Sequence, residues 1–362
     1  MTQGGFGAAG AGSSRARRAS DVRRRRETAG LGVLVLVLGA ASFAWLSTLD
    51  GEPGPATAPS HSDSSRPGSL ALVVRGAPRP LVALVVAGRD PAVVALPIDM
   101  TLELVGRGRS STAALAELPG EEMRVALSNT IGAWIEHYAV MDTERLGRIV
   151  DHSGGMTLRL PSRVTLAGAQ LGPGDVTLTG VEVAEYLSVA GPNALTRWEV
   201  TLIAILQRPP TLLAGDVIET DDIGGAGQVL LDARSADLAT FPSEVVVGSV
   251  RVPLYDELDV LVADVFEQPI PPVPVVVLNG NGDPGVGASV AALLVPLGFR
   301  IVVSENADNF GHTSTEVIAD GEEHVAEAQQ IATTLGVGAV EISRVPSGIG
   351  DITIVIGRDF SS

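Results

Sequence analysis

The sequence predicts an α/β protein with a mixed sheet, followed by a smaller α+β domain. Three β-rich runs, SLALVVRG, PLVALVVAG and AVVALPID, follow one another closely between residues 69 and 99. Such continuous apolar runs are typical of neighbouring strands that are buried on both faces. Helix-compatible segments and further strands then alternate along the chain, which favours helices packed on a sheet.

The helices of the larger domain are predicted from segments that follow these strands. Glu121–Tyr138 and Thr143–His152 are helix-compatible, and MTLRLPSRVTL then reads as a strand. The segment Thr196–Arg208 predicts another helix, because its apolar residues group on one face.

The smaller domain follows a proline-rich break, EQPIPPVPV, at Glu267–Val275. Its predicted order is strand, glycine turn, helix, strand, strand, helix, strand, or βαββαβ, with a final strand at Ile352–Gly357. This order favours a split βαβ, ferredoxin-like arrangement over a Rossmann sheet.

The amino terminus predicts a membrane anchor. Seven arginines lie between Arg15 and Arg26, directly before the uncharged 20-residue run Gly30–Leu49. About 20 apolar residues span a bilayer, and arginines before such a run stay on the cytoplasmic side. A cleaved signal peptide is the alternative, since Ala56 and Ala58 form an A-x-A, but the run is long for a signal core.

Composition excludes several functional classes. The net charge is −17 despite the basic amino terminus, which argues against nucleic acid as a partner. The absence of cysteine excludes disulfides and cysteine nucleophiles, and the five histidines show no zinc-binding spacing. The sequence also contains no G-x-S-x-G or Walker motif.

The turn VLNGNGDPGVG has the G-x-G-x-x-G spacing of dinucleotide-binding loops at Gly280, Gly282 and Gly285. Glu305, at the end of the next predicted strand, is placed like a ribose-binding carboxylate. However, only about 55 residues follow Glu305, too few for the rest of a Rossmann sheet. We therefore expect these glycines to shape the backbone.

Two segments resemble a known family. SNTIGAWIEHYAVMDTERLGRIVDHSGGM at Ser128–Met156, with LAGAQLGPGDVTLTGVEVAEYL after it, resembles the central part of LytR-CpsA-Psr domains. VVVLNGNGDPGVGASVAALLVPLGF, with DITIVIGRDF near the end, resembles the LytR C-terminal domain that follows such modules. The resemblance implies an α/β/α layered domain with the smaller domain behind it.

The resulting organisation has six segments. They are an Arg-rich cytoplasmic tail (1–29), a transmembrane helix (30–49), a flexible linker (50–68), a LytR-CpsA-Psr-like domain (69–266), a Pro-rich linker (267–274) and a LytR C-terminal-like domain (275–360). The bulk of the chain is then expected outside the cell membrane, as a single-pass protein.

The family resemblance implies phosphotransferases that move a glycopolymer from a polyprenyl-pyrophosphate lipid to peptidoglycan. Arginines would neutralise the pyrophosphate and carboxylates would hold Mg²⁺. Matched to the family's motifs, Arg79, Asp99 and Arg197 are the candidate ligand-binding residues, and Asp99 is the candidate metal ligand.

This sequence departs from the family pattern at most of the charged positions. The residues that stand where the motifs have arginine, acid, hydroxyl or amide side chains are Leu81, Val82, Ile98, Ser188, Ala190, Val200 and Thr201. Each lost charged hydrogen bond costs a few kcal/mol, about a hundredfold in binding or rate. We therefore expect no efficient catalysis.

The leading hypothesis is a non-catalytic envelope protein that binds a lipid-linked cell-wall precursor, a polymer or a wall-assembly partner. One alternative is an active Mg²⁺-dependent glycopolymer transferase with an unusual site. Another is a structural tether between wall and membrane. Cleavage of pyrophosphate would distinguish the transferase from the non-catalytic binder. Binding of the lipid would distinguish the binder from the structural tether.

Overall fold

The computed structural model describes residues 68–361, except 77–79, 167, 190–192, 208–213, 247–249, 267–271, 344 and 346–347. These residues belong to one compact unit, Ser64–Ser362. The predicted cytoplasmic tail and membrane helix, and the linker up to residue 67, lie outside the described residues.

None of the helices in the described part of the chain combines the length and the apolar character needed to cross a membrane.

The larger sheet has six strands, and it confirms the mixed α/β class. Their order is β11 (Glu219–Thr220), β6 (His137–Asp142), β1 (Ser69–Arg75), β2 (Leu81–Val86), β3 (Ala92–Ala95) and β12 (Asp237–Thr240). Strand β1 pairs in parallel with β6 and antiparallel with β2, and β3 pairs in parallel with β12. The three apolar runs are adjacent strands that are buried on both faces, as predicted.

Helices cover both faces of this sheet. Alternate residues of β1 enter two separate hydrophobic clusters, with Leu70 and Leu72 in one and Ala71 and Val73 in the other. The first cluster contains α3 (Thr143–His152), α4 (Gly180–Ser188), α5 (Ala194–Gln207) and α6 (Ile223–Asp232). The second contains α1 (Thr112–Ala116), α2 (Gly120–Ile131) and α7 (Tyr255–Val265). The sheet therefore forms the middle of three layers.

Short two-stranded sheets complete this part of the chain. Their strands pair β4 (Thr101–Leu104) with β5 (Gly108–Ser111), β7 (Met156–Leu160) with β10 (Gly174–Leu178), β8 (Val164–Leu166) with β9 (Ala169–Leu171), and β13 (Ser243–Val245) with β14 (Arg251–Pro253). A single-turn 3₁₀ helix lies at Ala214–Asp216.

One predicted helix is shorter than expected. The helix-compatible segment Glu121–Tyr138 forms α2 only to Ile131, and His137 and Tyr138 begin strand β6. Gly132 ends the helix because its φ of 83° is left-handed, and its backbone N–H still donates to the Ser128 carbonyl. The predicted helix Thr143–His152 is confirmed as α3.

The carboxy-terminal part contains a five-stranded sheet. Its order is β16 (Phe299–Asn306), β15 (Val273–Asn279), β19 (Ile352–Ile356), β17 (Glu316–Ala319) and β18 (Ala339–Ile342), with helices α8 (Val286–Leu294) and α9 (Val325–Leu335). Short 3₁₀ turns lie at Val295–Leu297 and Glu322–His324. The predicted order of elements is confirmed, but the split βαβ arrangement is wrong because β15 and β16 pair directly in parallel.

The two sheets are joined by buried polar contacts. The Asn129 side chain donates to the Ile301 carbonyl at 2.9 Å and accepts from the Ile301 N–H at 2.6 Å. Arg300 donates to the Ile131 carbonyl at 2.9 Å and to Asp259 at 2.7 Å. Because unpaired buried polar groups are costly, these contacts fix the register between the helix α2 and strand β16.

Candidate functional site

One candidate site is a cavity of about 590 Å³ beside helix α5. Its walls come from α3, β7, β10 and α5, with Leu238 of β12. The apolar residues of the lining are Ile149, Val150, Met156, Leu158, Val200, Ile203, Ala204, Ile205 and Leu238. Its polar lining includes Arg159, Asp175 and Glu199. A cavity of this size and composition suits a ligand with a long apolar part.

A second cavity, here called the Asp99 cleft, measures about 270 Å³. It lies where the chain leaves β3 at Pro97–Asp99 and meets the first turns of α5 and the strands β12 to β14. Glu199 lines both this cleft and the larger cavity. The two spaces therefore share one lining residue on α5.

Asp99, the sequence-predicted ligand, does line the cleft. Its side chain is 62% exposed, and its Oδ1 lies 3.7 Å from Nε of Arg251. Arg251 also donates through Nη1 to Ser243 Oγ at 3.3 Å. Sequence reasoning missed Arg251, because 151 intervening positions separate it from the Asp99 motif and no local pattern marks it.

Two neighbours on α5, Trp198 and Glu199, line the cleft. Trp198 is only 4% exposed, and its indole Nε1 has no hydrogen-bond partner among the described residues. Glu199 follows it, and burial raises the pKa of its carboxyl. Burial disfavours the charged form of the Glu199 carboxyl.

The other predicted ligand residues do not join Asp99. Arg197 lines neither cavity; its guanidinium donates to the Val189 carbonyl and lies 5.9 Å from the centre of the Tyr186 ring. Arg79 lies outside the described residues. The roles assigned to both by resemblance remain predictions.

The site does not suit a Mg²⁺ ion of the kind that the resemblance implies. The part of the chain that the structure describes holds no group of three or more His, Asp or Glu side chains placed to bind a metal. Asp99 already faces a guanidinium, and Mg²⁺ prefers near-octahedral oxygen coordination. No catalytic step through a metal is therefore derived for this cleft.

The His137–Tyr138 pair has a structural role. His137 Nδ1 lies 3.1 Å from Asp221 Oδ2, and the Tyr138 N–H donates to the other oxygen of Asp221 at 2.9 Å. Tyr138 is buried against Gly120, where a β-carbon would collide with its ring. These contacts hold β6 to the segment before α6 and leave neither ring in a cavity described above.

The glycine turn of the carboxy-terminal sheet is occupied by packing. A β-carbon on Gly280 would lie 2.8 Å from the His312 ring and 2.9 Å from the Ile356 carbonyl oxygen. Gly282 has a φ of +85° and faces the Phe310 ring, and Gly285 is the left-handed residue before α8. These contacts support the expectation that the spacing serves the backbone rather than a dinucleotide.

Comparisons with known proteins agree with the resemblance in the sequence. Residues 272–360 match the family model described as LytR cell envelope-related transcriptional attenuator. No curated protein matches the chain.

Solved structures with similar folds include TagV of B. subtilis, at 14% identity and a TM-score of 0.48, covering 55% of this chain and 96% of TagV. A transcriptional regulator from Enterococcus faecalis has 16% identity and a TM-score of 0.48, covering 56% of this chain and 89% of that one. The LytR-CPS2A-psr family protein YwtF (TagT), solved with bound octaprenyl pyrophosphate lipid, has 14% identity and a TM-score of 0.46, with 56% and 89% coverage.

The resemblance stated for the sequence is thus confirmed at the level of family. The family model matches the carboxy-terminal module, residues 272–360.

Proposed function

We propose that this chain, whose residues 272–360 belong to the LytR C-terminal domain family, is a non-catalytic cell-envelope protein that binds a lipid-linked cell-wall precursor. The observation that carries the proposal is the cavity of about 590 Å³ with mostly aliphatic walls beside helix α5.

The cavity supports lipid binding through its shape and lining. Ligand pockets are commonly about 300–1,000 Å³ with mostly apolar walls and few polar groups. The wall formed by Val200, Ile203 and Ala204 on α5, with Met156 and Leu158 on β7, presents aliphatic side chains. Such walls suit a branched isoprenoid chain, because its burial removes apolar surface from water without requiring polar partners.

The cleft supports the non-catalytic part of the proposal. Of the described residues that line it, Arg251 is the only base, and the lining also contains two carboxylates, Asp99 and Glu199. Ile98 and Val200, which stand at motif positions for arginine, line the cleft and the cavity respectively. A transferred pyrophosphate requires bidentate or metal-assisted charge neutralisation, which this lining does not provide.

The amino terminus supports placement at the membrane. The arginines before the apolar run Gly30–Leu49 favour a cytoplasmic amino terminus and an external bulk. The chain would then reach lipid precursors from the outer face of the membrane, tethered through the Pro, Gly and Ser-rich stretch after Leu49. One chain end fixed beside the lipid raises its effective concentration.

Native mass spectrometry of the full chain tests this proposal. The chain, in a detergent without sugar or phosphate groups, is incubated with polyprenyl-linked saccharides that carry a monophosphate or a pyrophosphate linker, with and without Mg²⁺. We expect an intact lipid adduct whose mass does not depend on Mg²⁺. Mg²⁺-dependent release of the saccharide phosphate would instead establish a transferase. If neither lipid formed an adduct, the structural tether between wall and membrane would be the remaining hypothesis.

A cavity-filling variant locates the bound lipid. Ala204→Trp places a large ring in the cavity and is expected to weaken lipid binding about thirtyfold or more, because the chain loses its buried volume. The matched control, Ala263→Trp, changes an exposed alanine on α7 and should bind lipid like the parent chain.

A further inference from the structure

We propose that the outer end of the strand pair β13–β14 inserts into the surface of the lipid bilayer and brings the lipid cavity to the membrane. The inference rests on the proposed function, because that function places the folded part of the chain beside a membrane. It goes beyond that function, since it assigns a second membrane contact, which the folded part makes itself.

The outer end of this strand pair is apolar and exposed. Val245, Val246 and Val250, here called the valine patch, are 57%, 39% and 42% exposed. The Val246 N–H donates to the Val250 carbonyl at 2.8 Å, which holds the patch together across the two strands. The sequence from Val245 to Val250 contains no charged residue. Grouped exposed apolar side chains, unlike scattered single ones, indicate a contact surface.

The valine patch occupies both faces of the strand pair. Val245 is paired in register with Arg251, so these two side chains share one face. Val246 and Val250 are the next residues along the two strands, so they lie on the opposite face. A surface that docks on a folded protein needs to be apolar on one face only, whereas a segment immersed in hydrocarbon is surrounded by it. The two-sided arrangement therefore favours a lipid bilayer over a protein partner.

The base of the strand pair is fixed to the domain beside the Asp99 cleft. Arg251 lines the cleft, forms a β-bridge with Met100, and has its Nε 3.7 Å from Asp99 Oδ1. The Leu254 N–H donates to the Pro242 carbonyl at 3.1 Å, which joins the two strands at their base. Insertion of the valine patch would therefore also fix the position of the cleft relative to the membrane.

The strand that leads to β13 connects the valine patch to the lipid cavity. Leu238 of β12 is exposed and also lines the cavity, so the cavity reaches the surface of the protein at this strand. Ser243, where β13 begins, follows Leu238 by only five positions. A chain of that length spans at most about 18 Å. A bilayer at the valine patch would therefore lie near the exposed side of the cavity and shorten the path of a prenyl chain through water.

The length of the predicted linker permits this placement. Strands β1 and β3 run in the same direction, because each pairs antiparallel with β2. The cleft follows the end of β3, so the start of β1 at Ser69 lies at the opposite edge of the sheet. A strand of the length of β1 spans about 23 Å. The 18 residues of the linker, 50–67, reach about 60 Å when extended, so the anchor and the valine patch can contact one bilayer.

Single-cysteine labelling tests the insertion, because the chain contains no cysteine of its own. Val246→Cys carries a nitrobenzoxadiazole label, and the full chain is reconstituted in phosphatidylcholine nanodiscs. The matched controls are Val181→Cys and Val345→Cys, at valines that are 71% and 78% exposed. We expect only the label at position 246 to emit at shorter wavelength. Nitroxides on the lipid acyl chains should quench it about twofold or more, because it alone enters hydrocarbon.

A charged patch separates insertion from lipid binding. Val246→Glu combined with Val250→Glu places two carboxylates where hydrocarbon strongly disfavours charge. A prenyl phosphate that carries a diazirine is supplied in vesicles, and crosslinks to α5 are counted over time. We expect loading to slow about tenfold, whereas affinity for the same lipid in detergent stays that of the parent chain. The control, Val181→Glu with Val345→Glu, adds the same charge elsewhere and should load at the parent's rate.

The outcomes distinguish the insertion from the proposed function. Equal emission and quenching at position 246 and at the control positions would overturn the insertion and leave lipid binding in detergent intact. A shielded label at position 246 that acyl-chain nitroxides do not quench would indicate a protein partner or a second copy, and would also overturn it.

Two further outcomes concern the membrane and the lipid. A full chain that does not enter nanodiscs would overturn the membrane placement together with the insertion. An unchanged loading rate in the double glutamate variant would overturn the role of the valine patch in lipid entry. Selective quenching at position 246 in a chain that forms no lipid adduct would support the insertion and overturn lipid binding.

Discussion

The glycine turn at residues 279–287 has a motif typical of binding loops but is filled by packing, whereas helix α5 lacks such a motif but lines two cavities. The turn has the spacing of a nucleotide-binding loop, yet its glycines make room for His312 and Phe310. Helix α5 carries no motif spacing of that kind, yet it lines both the apolar cavity and the Asp99 cleft. The glycine spacing alone therefore indicates a required backbone conformation, whereas a binding site also requires an open cavity.

The largest expected effect is on the turn. Gly280→Ala should lower the free energy of unfolding by about 2–3 kcal/mol, because the new methyl meets both the His312 ring and the Ile356 carbonyl. Chemical denaturation of the full chain measures this, and Gly215→Ala, with nothing within 4 Å of its β-carbon, is the control. Lipid affinity should not change. A loss of lipid binding in the folded Gly280→Ala variant would instead indicate that the glycine turn is part of the lipid-binding site.

A smaller effect is expected from Gly287→Ala in the first turn of α8. The new β-carbon would collide with Ser304 Oγ, but that hydroxyl can rotate away about the Cα–Cβ bond. Alanine also raises helix propensity by about 1 kcal/mol over glycine. We therefore expect unfolding free energy to change by less than about 0.5 kcal/mol, from partial cancellation. A loss as large as that for Gly280→Ala would show that Ser304 is held rigidly.

The smallest effect concerns the charge on α5. Burial raises the pKa of Glu199 above its ordinary value of 4.5, so the folded chain keeps this proton where the unfolded chain has lost it. Stability contributed by the protonated form is therefore lost as pH rises from 4.5 through the raised pKa.

Glu199→Gln should remove this pH dependence and stabilise the chain more at pH 7 than at pH 4. The gain should be only a few tenths of a kcal/mol, since solvent screens a partly exposed carboxyl. Denaturation midpoints at the two pH values, beside those of Glu322→Gln, measure it. An equal effect of Glu199→Gln at both pH values would argue against a raised pKa.

The sequence is sufficient for most elements of the fold. Runs that are apolar at every position predict β1, β2 and β3, and the helix Thr143–His152 is found with the same bounds. The end of α2 is missed because residues beyond Gly132 remain helix-compatible, and only the left-handed backbone of Gly132 stops the helix. The direct pairing of β15 with β16 is missed because element order does not determine which strands are neighbours.

The candidate site is less accessible to sequence reasoning. The family resemblance leads to Asp99, and the structure places it in a cleft. Arg251 and Trp198 line that cleft from distant parts of the chain, so no local sequence pattern places them beside Asp99. The pairing of Arg251 with Asp99 is visible only in the structure. The apolar cavity depends on small side chains of α5 that look like ordinary core residues in the sequence.

Photo-crosslinking tests the central claim most directly. A prenyl chain that carries a diazirine near its end is bound to the full chain and irradiated, and the labelled peptides are identified by mass spectrometry. The account predicts labels on α5 and β7, at residues that include Ile203 and Met156, and their loss in Ala204→Trp. Labels confined to the glycine turn, or to surfaces away from α5, would contradict it.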